Sequence, residues 1–216
     1  MCVPNSHGTE RTQQVDSPDA APIRHQIADE LHQREAQMGG IFSDLVASAP
    51  VVEQICTALV RTLSSRGKVL VAGNGGSAAE AQHFTAELIG RFKRDRQPYP
   101  ALSLTSDTSV LTALGNDYGF DQVFARQLQG LANPGDAFVA FSTSGRSQNL
   151  VNAATAGRAL DVCTIAVTGS LESPLGAASA ITFKAPATDT AVIQEIHLLF
   201  THVVCAVLEA RLSNSA

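Results

Sequence analysis

The sequence predicts an α/β protein: a three-layer αβα sandwich in which helices cover both faces of a five-stranded parallel sheet, with further helices before it. From Lys68 onward, short and continuously apolar segments alternate with segments of helical periodicity. Strands of a parallel sheet are buried on both faces and form unbroken apolar runs, and the helices between them provide the crossovers. With 216 residues, the chain is long enough for one such domain with a full core.

The chain is expected to begin with a tail and two helices. Residues 1–22 are polar and rich in Ser, Pro, Gln and Thr, which is typical of a mobile tail. Helical spacing predicts a first helix over residues 23–37, and apolar residues at three- and four-residue steps predict a second over residues 40–65. Leading helices of this kind pack either on their own domain or on a partner subunit. We expect residues 23–216 to form a single domain.

The alternating region supplies the sheet and its covering helices. The predicted strands are the apolar runs 68–72, 101–105, 137–141, 162–167 and 180–184. The predicted helices cover residues 77–89, 106–114, 121–131, 147–160 and 190–212, with a short turn near Leu175. Ligands of such sheets bind at the carboxyl ends of the strands, so the turns that follow the strands are the first candidates for a binding site.

The net charge and the hydropathy pattern argue against nucleic-acid binding and against a membrane span. The net charge is −5, whereas a general nucleic-acid-binding protein usually carries a basic excess. We interpret the one basic cluster as a mostly solvated loop or helix end; its members are Arg91, Lys93, Arg94 and Arg96. No apolar run reaches 18 residues and the N-terminus lacks an apolar signal segment, so we expect neither a membrane span nor a secretory signal.

The cysteines indicate the redox compartment. They are widely scattered and form no C-x-x-C pair: Cys2, Cys56, Cys163 and Cys205. This pattern favours reduced thiols, with neither a disulfide framework nor a cysteine-ligated zinc site. We therefore expect a cytoplasmic protein.

A glycine-rich turn follows the first predicted strand: Gly73-Asn74-Gly75-Gly76-Ser77. Glycines let the backbone approach a ligand closely, and the free N–H groups at the start of the next helix favour an anion. The turn lacks the Gly-Lys-Ser/Thr of a nucleotide-binding P-loop and the glycine spacing of a dinucleotide-binding turn. It is therefore either an anion-binding turn of another kind or simply a tight connection.

A second turn, after the third predicted strand, carries four hydroxyls and a glycine: Ser142-Thr143-Ser144-Gly145-Arg146-Ser147. Hydroxyls and backbone N–H groups together can surround a phosphate, and the dipole of the following helix favours its charge. The alternative is a serine N-cap, which needs only one hydroxyl. Four hydroxyls favour phosphate binding.

His83 and Glu87 lie four residues apart on one face of the helix that follows the glycine-rich turn. Together with a histidine of the last helix, either His197 or His202, they could bind a divalent metal or act as an acid–base set. A pair of this kind is also common on exposed helix faces. Gln194, on the same last helix, lies roughly 12 Å from His202 along an ideal helix. One metal therefore binds both only if their side chains converge or come from different subunits.

Five motifs, in order, resemble those of the phosphoheptose isomerase family. They are Gly73-Asn74-Gly75-Gly76-Ser77, Gln82-His83-Phe84-x-x-Glu87-Leu88-x-Gly90-Arg91, Gly115-Asn116-Asp117-Tyr118-Gly119-Phe120, Ser142-Thr143-Ser144-Gly145-x-Ser147, and Ile193-Gln194-Glu195-Ile196-His197 followed by His202. The resemblance covers roughly residues 45–212. It implies a sugar isomerase (SIS) domain of flavodoxin-like topology that converts sedoheptulose 7-phosphate to D-glycero-D-manno-heptose 7-phosphate.

The resemblance implies roles for the matched residues. Glu87 and His202 match the acid–base pair of an aldose–ketose isomerisation through an enediol, which favours His202 over His197. The phosphate would be held by Ser142, Thr143, Ser144 and Ser147. The other substrate contacts would come from Asn74, Gly75, Gly76, Ser77, Glu87, Arg91, Asn116, Asp117 and Gln194. Zinc, in members that carry it, would be bound by His83, Glu87, Gln194 and His202. The family also implies a homotetramer with active sites at subunit junctions.

Two positions depart from the family pattern. Val192 stands where arginine is usual, and Arg146 stands where asparagine is frequent. A second hypothesis is a non-catalytic SIS protein that binds a partner such as the replication initiator DnaA. Relatives of that kind lack the catalytic Glu and His, whereas this chain retains Glu87 and His202. A third is an isomerase of another sugar phosphate.

Overall fold

The computed structural model describes residues 22–213. They fall into two units that divide between Ala36 and Gln37, and the second unit contains the whole sheet and every candidate site residue. The mobile tail predicted for residues 1–22 lies outside the described residues, except for Pro22. The expectation that residues 23–216 form one domain remains a prediction.

The described chain alternates helices and strands as the sequence predicts. The helices are α1 (Ile23–Met38), α2 (Ile41–Ala47), α3 (Ala49–Ser64), α4 (Gly76–Ile89), α5 (Thr108–Tyr118), α6 (Val123–Leu131), α7 (Gln148–Ala159), α8 (Pro174–Ala178) and α9 (Thr190–Leu212). The strands are β1 (Val69–Gly73), β2 (Ala101–Ser103), β3 (Ala137–Ser142), β4 (Cys163–Thr168) and β5 (Ile181–Lys184). A 3-10 helix, Phe120–Gln122, precedes α6.

The five strands form one parallel sheet in the order β2-β1-β3-β4-β5. This is the flavodoxin-like order. Because β1 pairs with both β2 and β3, the chain changes direction across the sheet at β1. The predicted parallel sheet and its strand count are confirmed.

Successive residues of the central strands point to opposite faces of the sheet and enter two separate apolar clusters. On one face, Val71 and Val139 pack with buried residues of α3, α4 and α9. On the other face, Leu70 and Phe138 pack with buried residues of α6 and α7. Helices thus cover both faces of the sheet, which confirms the three-layer sandwich.

The single helix predicted over residues 40–65 is wrong, because the chain forms two helices there. α2 ends at Ala47 and α3 begins at Ala49, with Pro50 in the first turn of α3. Proline has no N–H to donate to the carbonyl four residues earlier, and its ring collides with that carbonyl inside a helix. In the first turn neither cost arises, so Pro50 ends one helix and begins another.

The helix predicted over residues 106–114 is displaced toward the C-terminus. α5 begins after Asp107, whose carboxylate accepts a hydrogen bond from the Val110 amide at 3.0 Å. The helix ends at Tyr118, and Gly119 is its C-cap residue. The Gly115-Asn116-Asp117 stretch looks like a helix terminus in the sequence, yet it lies within the last turns of α5.

By length and composition alone, α9 is the one helix among the described residues able to cross a membrane. A second candidate arises only if the bent pair of segments Ile23–Ala47 and Ala49–Ser64 is counted as one broken span. Half of the most apolar part of α9 is buried inside the protein, where Ile196, Phe200 and Val204 belong to the core. Core helices of soluble proteins meet the same criteria, so the criteria do not by themselves indicate a span.

Cys56, Cys163 and Cys205, the cysteines within the described residues, are free thiols. Burial raises the pKa of Cys56 to about 11 and that of Cys205 to about 12. Both therefore stay protonated at neutral pH, where a thiolate would be the reactive form. That the thiols are reduced because of the compartment stays a prediction.

Candidate active site

The fold places two loops side by side, at the carboxyl ends of β1 and β3. From these neighbouring strands the chain continues in opposite directions across the sheet, and ligands of open parallel sheets bind at such a switch point. The first loop is the glycine-rich turn, residues 73–77. It is so tight that a side chain on Gly73 would collide with the carbonyl of Ser77. The Ser77 amide donates to the Asn74 carbonyl at 3.0 Å, so the chain passes from β1 into α4 without a longer connection.

A pair of side-chain amides joins the two loops. Asn74 Nδ2 donates to Asn149 Oδ1 and Asn149 Nδ2 donates to Asn74 Oδ1, both at 3.0 Å. Asn149 lies in the first turn of α7 and is buried. Sequence reasoning missed Asn149, since only this contact distinguishes it from the other polar residues of α7. Each amide keeps one N–H and one lone pair for a further partner.

The second loop, residues 142–147, is called the serine loop below. Its backbone is fixed by its own hydroxyls: Ser142 Oγ accepts from the Gly145 amide at 3.0 Å, and Ser144 Oγ accepts from the Arg146 amide at 3.2 Å. Gly145 has φ of +61°, a conformation that favours glycine. The loop is therefore a specific backbone structure and not a flexible connection.

Ser147 immediately precedes α7, yet its hydroxyl caps none of the first amides of that helix. The N-cap alternative therefore does not account for Ser147. Beside the loop lies a cleft of about 310 Å³ lined by Arg146 and by hydroxyl-bearing and apolar residues, among them Thr143, Ser144 and Thr190. Its hydroxyls and the guanidinium of Arg146 suit a small anionic ligand.

A second group of side chains lies further along α4. His83 Nε2 is 3.2 Å from Glu87 Oε1 and 3.3 Å from His202 Nε2. One ligand atom from each of the three residues lies within 4.8 Å of the other two. His83 and Glu87 are on α4 and His202 is on α9, so the packing of these two helices creates the group. We call it the His/Glu cluster.

α4 and α9 run side by side in the same direction, as three contacts along their length show. The Gln194 amide packs directly over Gly76, where an added side chain would collide with it. Farther along, His197 contacts Glu80 and His202 contacts His83. The rise of an α-helix puts Glu87 about 16 Å along α4 from Gly76, and His202 about 12 Å along α9 from Gln194. Within one chain, the two loops and the His/Glu cluster are therefore separate.

His197 has a structural environment and does not join the His/Glu cluster. It is fully buried, with Nδ1 3.3 Å from Glu80 Oε2 and Nε2 3.2 Å from the Thr168 carbonyl. A carbonyl oxygen only accepts, so a hydrogen bond there requires the proton on Nε2. His197 thus links α9 to α4 and to the end of β4.

The loop after α4 carries the basic cluster, which is mostly solvated as the sequence predicts. Arg91, Lys93 and Arg94 are exposed, as a solvated loop would have them. Arg96 is the exception: its side chain is 5% exposed and ion-paired with Glu209 at 3.2 Å. In the same loop, the Phe92 ring stacks on the His202 ring, with centroids 5.2 Å apart and planes inclined by 23°.

The remaining predicted residues lie apart from these contacts. Asn116 and Asp117 are exposed on the last turn of α5, where Asn116 Nδ2 donates to Asp117 Oδ1 at 2.8 Å. Val192, at the position where arginine is usual, is buried in the apolar cluster of α9, so an apolar residue suits it. Arg146 is exposed at the cleft beside the serine loop.

Comparisons with known proteins agree with these features. The family model of the SIS domain matches residues 36–169. A phosphoheptose isomerase of Bradyrhizobium sp. (strain ORS 278) is 45% identical over 192 residues, which cover 88% of this chain and 96% of that protein.

Two solved structures have the same fold. That of a phosphoheptose isomerase from Neisseria gonorrhoeae has a TM-score of 0.78 and 36% identity, and covers 88% of this chain and 100% of that one. That of a phosphoheptose isomerase from Francisella tularensis has a TM-score of 0.77 and 35% identity, and covers 84% of this chain and 99% of that one. The fold, the order of the motifs and these similarities lead to one conclusion: the chain belongs to the phosphoheptose isomerase family of SIS-domain sugar-phosphate isomerases.

Proposed function

We propose that this protein interconverts sedoheptulose 7-phosphate and D-glycero-D-manno-heptose 7-phosphate, with Glu87 and His202 as the acid–base pair. The observation that carries the proposal is the His/Glu cluster, in which His202 of α9 contacts His83 of α4 at 3.3 Å and has its ligand atom within 4.8 Å of that of Glu87. Family membership supports the substrate class. The hypothesis of a non-catalytic partner-binding protein is not favoured, since the phosphoheptose isomerase relatives match along most of the chain.

The reaction needs two kinds of proton transfer. Aldose–ketose isomerisation removes a proton from the carbon next to a carbonyl and returns it to the neighbouring carbon, through an enediol. Glu87 is the proposed base for carbon, and His202 is the proposed group that moves protons between the two oxygens. The serine loop would bind the phosphate with its hydroxyls and with the N-terminus of α7. Binding the unreactive phosphate helps to position the reacting carbons. Asn74 and its neighbours in the glycine-rich turn are the proposed contacts for the sugar.

The His/Glu cluster also fits zinc. Ligand atoms bound to tetrahedral zinc at about 2.0–2.1 Å lie about 3.3–3.4 Å from one another. The distances from His83 Nε2 to Glu87 Oε1 and to His202 Nε2, 3.2 and 3.3 Å, are close to this value. Imidazole nitrogen and carboxylate oxygen are ordinary zinc ligands. A zinc ion held by these three residues would polarise the substrate carbonyl as a Lewis acid.

A zinc titration by calorimetry tests this site without reference to activity. We expect one zinc ion per chain and a loss of at least tenfold in affinity for His83→Ala. His197→Ala is the matched control, because His197 is a buried histidine of the same helix pair and no member of the cluster. Equal affinity of the wild type and His83→Ala would refute the zinc site.

The separation of the loops from the His/Glu cluster supports an oligomer. A substrate bound between the two loops of one chain must reach Glu87, which lies about 16 Å along α4 from Gly76 of the glycine-rich turn. We propose a homotetramer in which one subunit supplies the loops and another supplies the cluster. The same arrangement would let Gln194 of one subunit join the zinc ligands of another.

An apolar groove between α2, α3 and α9 is the proposed subunit interface. It has a volume of about 800 Å³, and its lining includes Phe42, Val46, Val52 and Val203. Phe42 and Val46 are more than half exposed, and apolar patches of this kind mark interaction sites. The proposed partner is a second copy of the chain. Sedimentation at micromolar concentration should give a tetramer, and a monomer would refute this part of the proposal.

Mixing two impaired variants, assayed at a substrate concentration well below the raised KM of Ser144→Ala, tests whether the active site is shared. Ser144→Ala removes a proposed phosphate contact and His202→Ala removes the proposed proton carrier. If one site takes both elements from one chain, mixed oligomers are no more active than the average of the two variants. If the elements come from different chains, subunit exchange restores activity. A mixture of Glu87→Gln and His202→Ala is the control and should recover nothing, since both changes affect the same cluster.

The activity itself is tested by incubating the purified protein with sedoheptulose 7-phosphate and following the product by NMR, with zinc or a chelator added. Glu87→Gln should lower kcat by about 10²- to 10⁴-fold, the usual contribution of a general acid or base. Near-normal turnover of that variant would remove Glu87 from the mechanism. An inactive wild type that is folded under every metal condition would favour another sugar phosphate.

We propose a cytoplasmic location and no nucleic-acid partner. Both follow from the sequence: thiols that are free in the described residues and a net charge of −5.

A further inference from the structure

The loop that follows α4 is folded around one buried carboxylate, that of Glu209 on α9. Glu209 is 2% exposed. Its two oxygens accept hydrogen bonds from three consecutive amides: Phe92 at 2.8 Å, Lys93 at 2.9 Å and Arg94 at 3.0 Å. They also accept one from Arg96 Nε at 3.2 Å. A single side chain thus determines the path of residues 92–96.

Arg96 connects this carboxylate to the end of α4. Its Nη2 donates to the Glu87 carbonyl at 2.7 Å and its Nη1 donates to the Leu88 carbonyl at 2.9 Å. The last carbonyls of a helix have no partner within the helix, and a cation there interacts favourably with the helix dipole. The guanidinium also stacks on the Tyr99 ring, 3.8 Å from its centroid. Arg96 therefore holds the backbone of Glu87 itself.

Glu209 also determines what lies against His202. The Phe92 ring, whose backbone amide Glu209 binds, stacks on the His202 ring. Glu209 follows His202 by seven residues, so the two side chains project from the same face of α9. The Glu209 carboxylate is thus connected to Glu87 through Arg96, and to His202 through Phe92.

We propose that Glu209 and Arg96 are positioning residues that fix the approach of Glu87 to His202. This rests on the proposed function, in which those two residues carry the proton transfers. Proton transfer needs its groups within hydrogen-bond reach, and displacements of about 1 Å can cost 10²-fold in rate. Neither Glu209 nor Arg96 needs to touch the substrate for this role.

The hydrogen bonds that the Glu209 carboxylate accepts make its replacement by glutamine an informative substitution. Burial opposes its ionisation, but the amides of Lys93, Phe92 and Arg94 and the charge of Arg96 outweigh burial and hold the pKa of Glu209 below its usual value. Glu209→Gln keeps the size and replaces one acceptor oxygen by an NH₂ donor. That donor then faces backbone N–H groups and cannot bind them.

The matched control is Asp136, a second buried carboxylate. It is 2% exposed and accepts from the amides of Lys68 at 2.9 Å and Asn133 at 2.8 Å, and from Lys68 Nζ at 2.6 Å. Asp136 precedes β3, at the end of the sheet opposite the serine loop. Asp136→Asn therefore disturbs a comparable set of hydrogen bonds away from the acid–base residues.

The test compares steady-state kinetics of folded Glu209→Gln and Asp136→Asn. We expect Glu209→Gln to lower kcat at least tenfold and to leave KM within twofold, because the phosphate contacts lie elsewhere. Asp136→Asn should lose stability and keep both constants. Arg96→Lys, which keeps the charge and loses the two-pronged contact with the α4 carbonyls, should also lower kcat. It provides the measurement if Glu209→Gln does not fold.

A second readout keeps this proposal distinguishable from the proposed function. The ring resonance of His202, assigned with His202→Asn in ¹³C-histidine-labelled protein, reports its stacking on Phe92 without any turnover. Glu209→Gln or Arg96→Lys should shift it, and Asp136→Asn should not. An unshifted resonance overturns the positioning role, as does a wild-type kcat in Glu209→Gln and Arg96→Lys, or an equal loss in Asp136→Asn. A wild type that does not isomerise the substrate contradicts the proposed function, and the resonance then decides this proposal alone.

Discussion

Replacing Gly145 by alanine tests how far the serine loop depends on one backbone conformation. Gly145 has φ of +61°, where an L-residue costs about 1–2 kcal/mol. The added Cβ would also collide with the side chain of Ser173. Ser173 caps α8, since its Oγ accepts from the Gly176 amide at 3.2 Å. If Ser173 moves away, that cap is lost, at about 1 kcal/mol. Gly145→Ala should therefore destabilise the protein by about 2–3 kcal/mol.

A double variant separates the two contributions. Ser173→Gly removes the atoms that the new Cβ would meet, and a serine cap replaced by glycine costs only a few tenths of a kcal/mol. The backbone cost at Gly145 then remains alone. Adding Ser173→Gly to Gly145→Ala should therefore make the protein more stable than Gly145→Ala by itself, although Ser173→Gly is slightly destabilising on its own.

The assay is urea unfolding at pH 7 and fixed protein concentration, because association would link stability to concentration. Steady-state kinetics of the same variants should show a raised KM, since the proposed phosphate contacts share this loop. The reasoning is refuted if Gly145→Ala costs under about 0.5 kcal/mol, the range of an ordinary surface substitution. It is also refuted if the double variant is less stable than Gly145→Ala.

The other predictions concern the acid–base residues, the phosphate contact and acid stability. His202→Ala should lower kcat by about 10²- to 10⁴-fold, whereas His197→Ala should mainly lower the urea midpoint; the reverse ranking would exchange their roles. Ser144→Ala should raise KM by about 10- to 100-fold, since a hydrogen bond to a charged group contributes about 1.5–3 kcal/mol; an unchanged KM would place the phosphate elsewhere. Asp136 and Glu209 have pKa values below their ordinary 3.8 and 4.5, because hydrogen bonds outweigh the opposing effect of burial. Their stabilisation is therefore present above about pH 5 and is lost as the pH falls through the lowered pKa values. Urea midpoints at pH 3.5 and 7 should differ less in Asp136→Asn than in the wild type, and an equal difference would exclude that residue.

Local patterns predicted the sheet well because strands buried on both faces must be apolar along their whole length. The five strands lie within two residues of their predicted bounds, and the two loops at the switch point follow directly from the strand ends. The prediction of helix ends failed where one residue type is typical of two different positions in a helix. Pro50 marks either the end of one helix or the first turn of the next, and the glycine and asparagine after Leu114 need not end a helix.

The contacts that tertiary structure creates left no signal in the sequence. Glu209 is surrounded by ordinary helix residues and becomes buried only because residues 92–96 fold over it. Arg96 is one of four neighbouring basic residues, of which it alone turns inward. Asn149 is distinguished only by its amide contact with Asn74. In each case the decisive partner lies more than seventy residues away, beyond the reach of local periodicity.

The position of α9 has a consequence for the biosynthesis of the protein. This helix emerges from the ribosome after all five strands, yet it supplies Val192, Ile196, Phe200 and Leu208 to the cluster on one face of the sheet. Until it is made, that face has no cover from α9, and exposed apolar surface of this kind promotes aggregation. A chain terminated before residue 190 would lack His202 as well as this cover. Incomplete chains would therefore be both inactive and recognisable to chaperones by the same exposed surface.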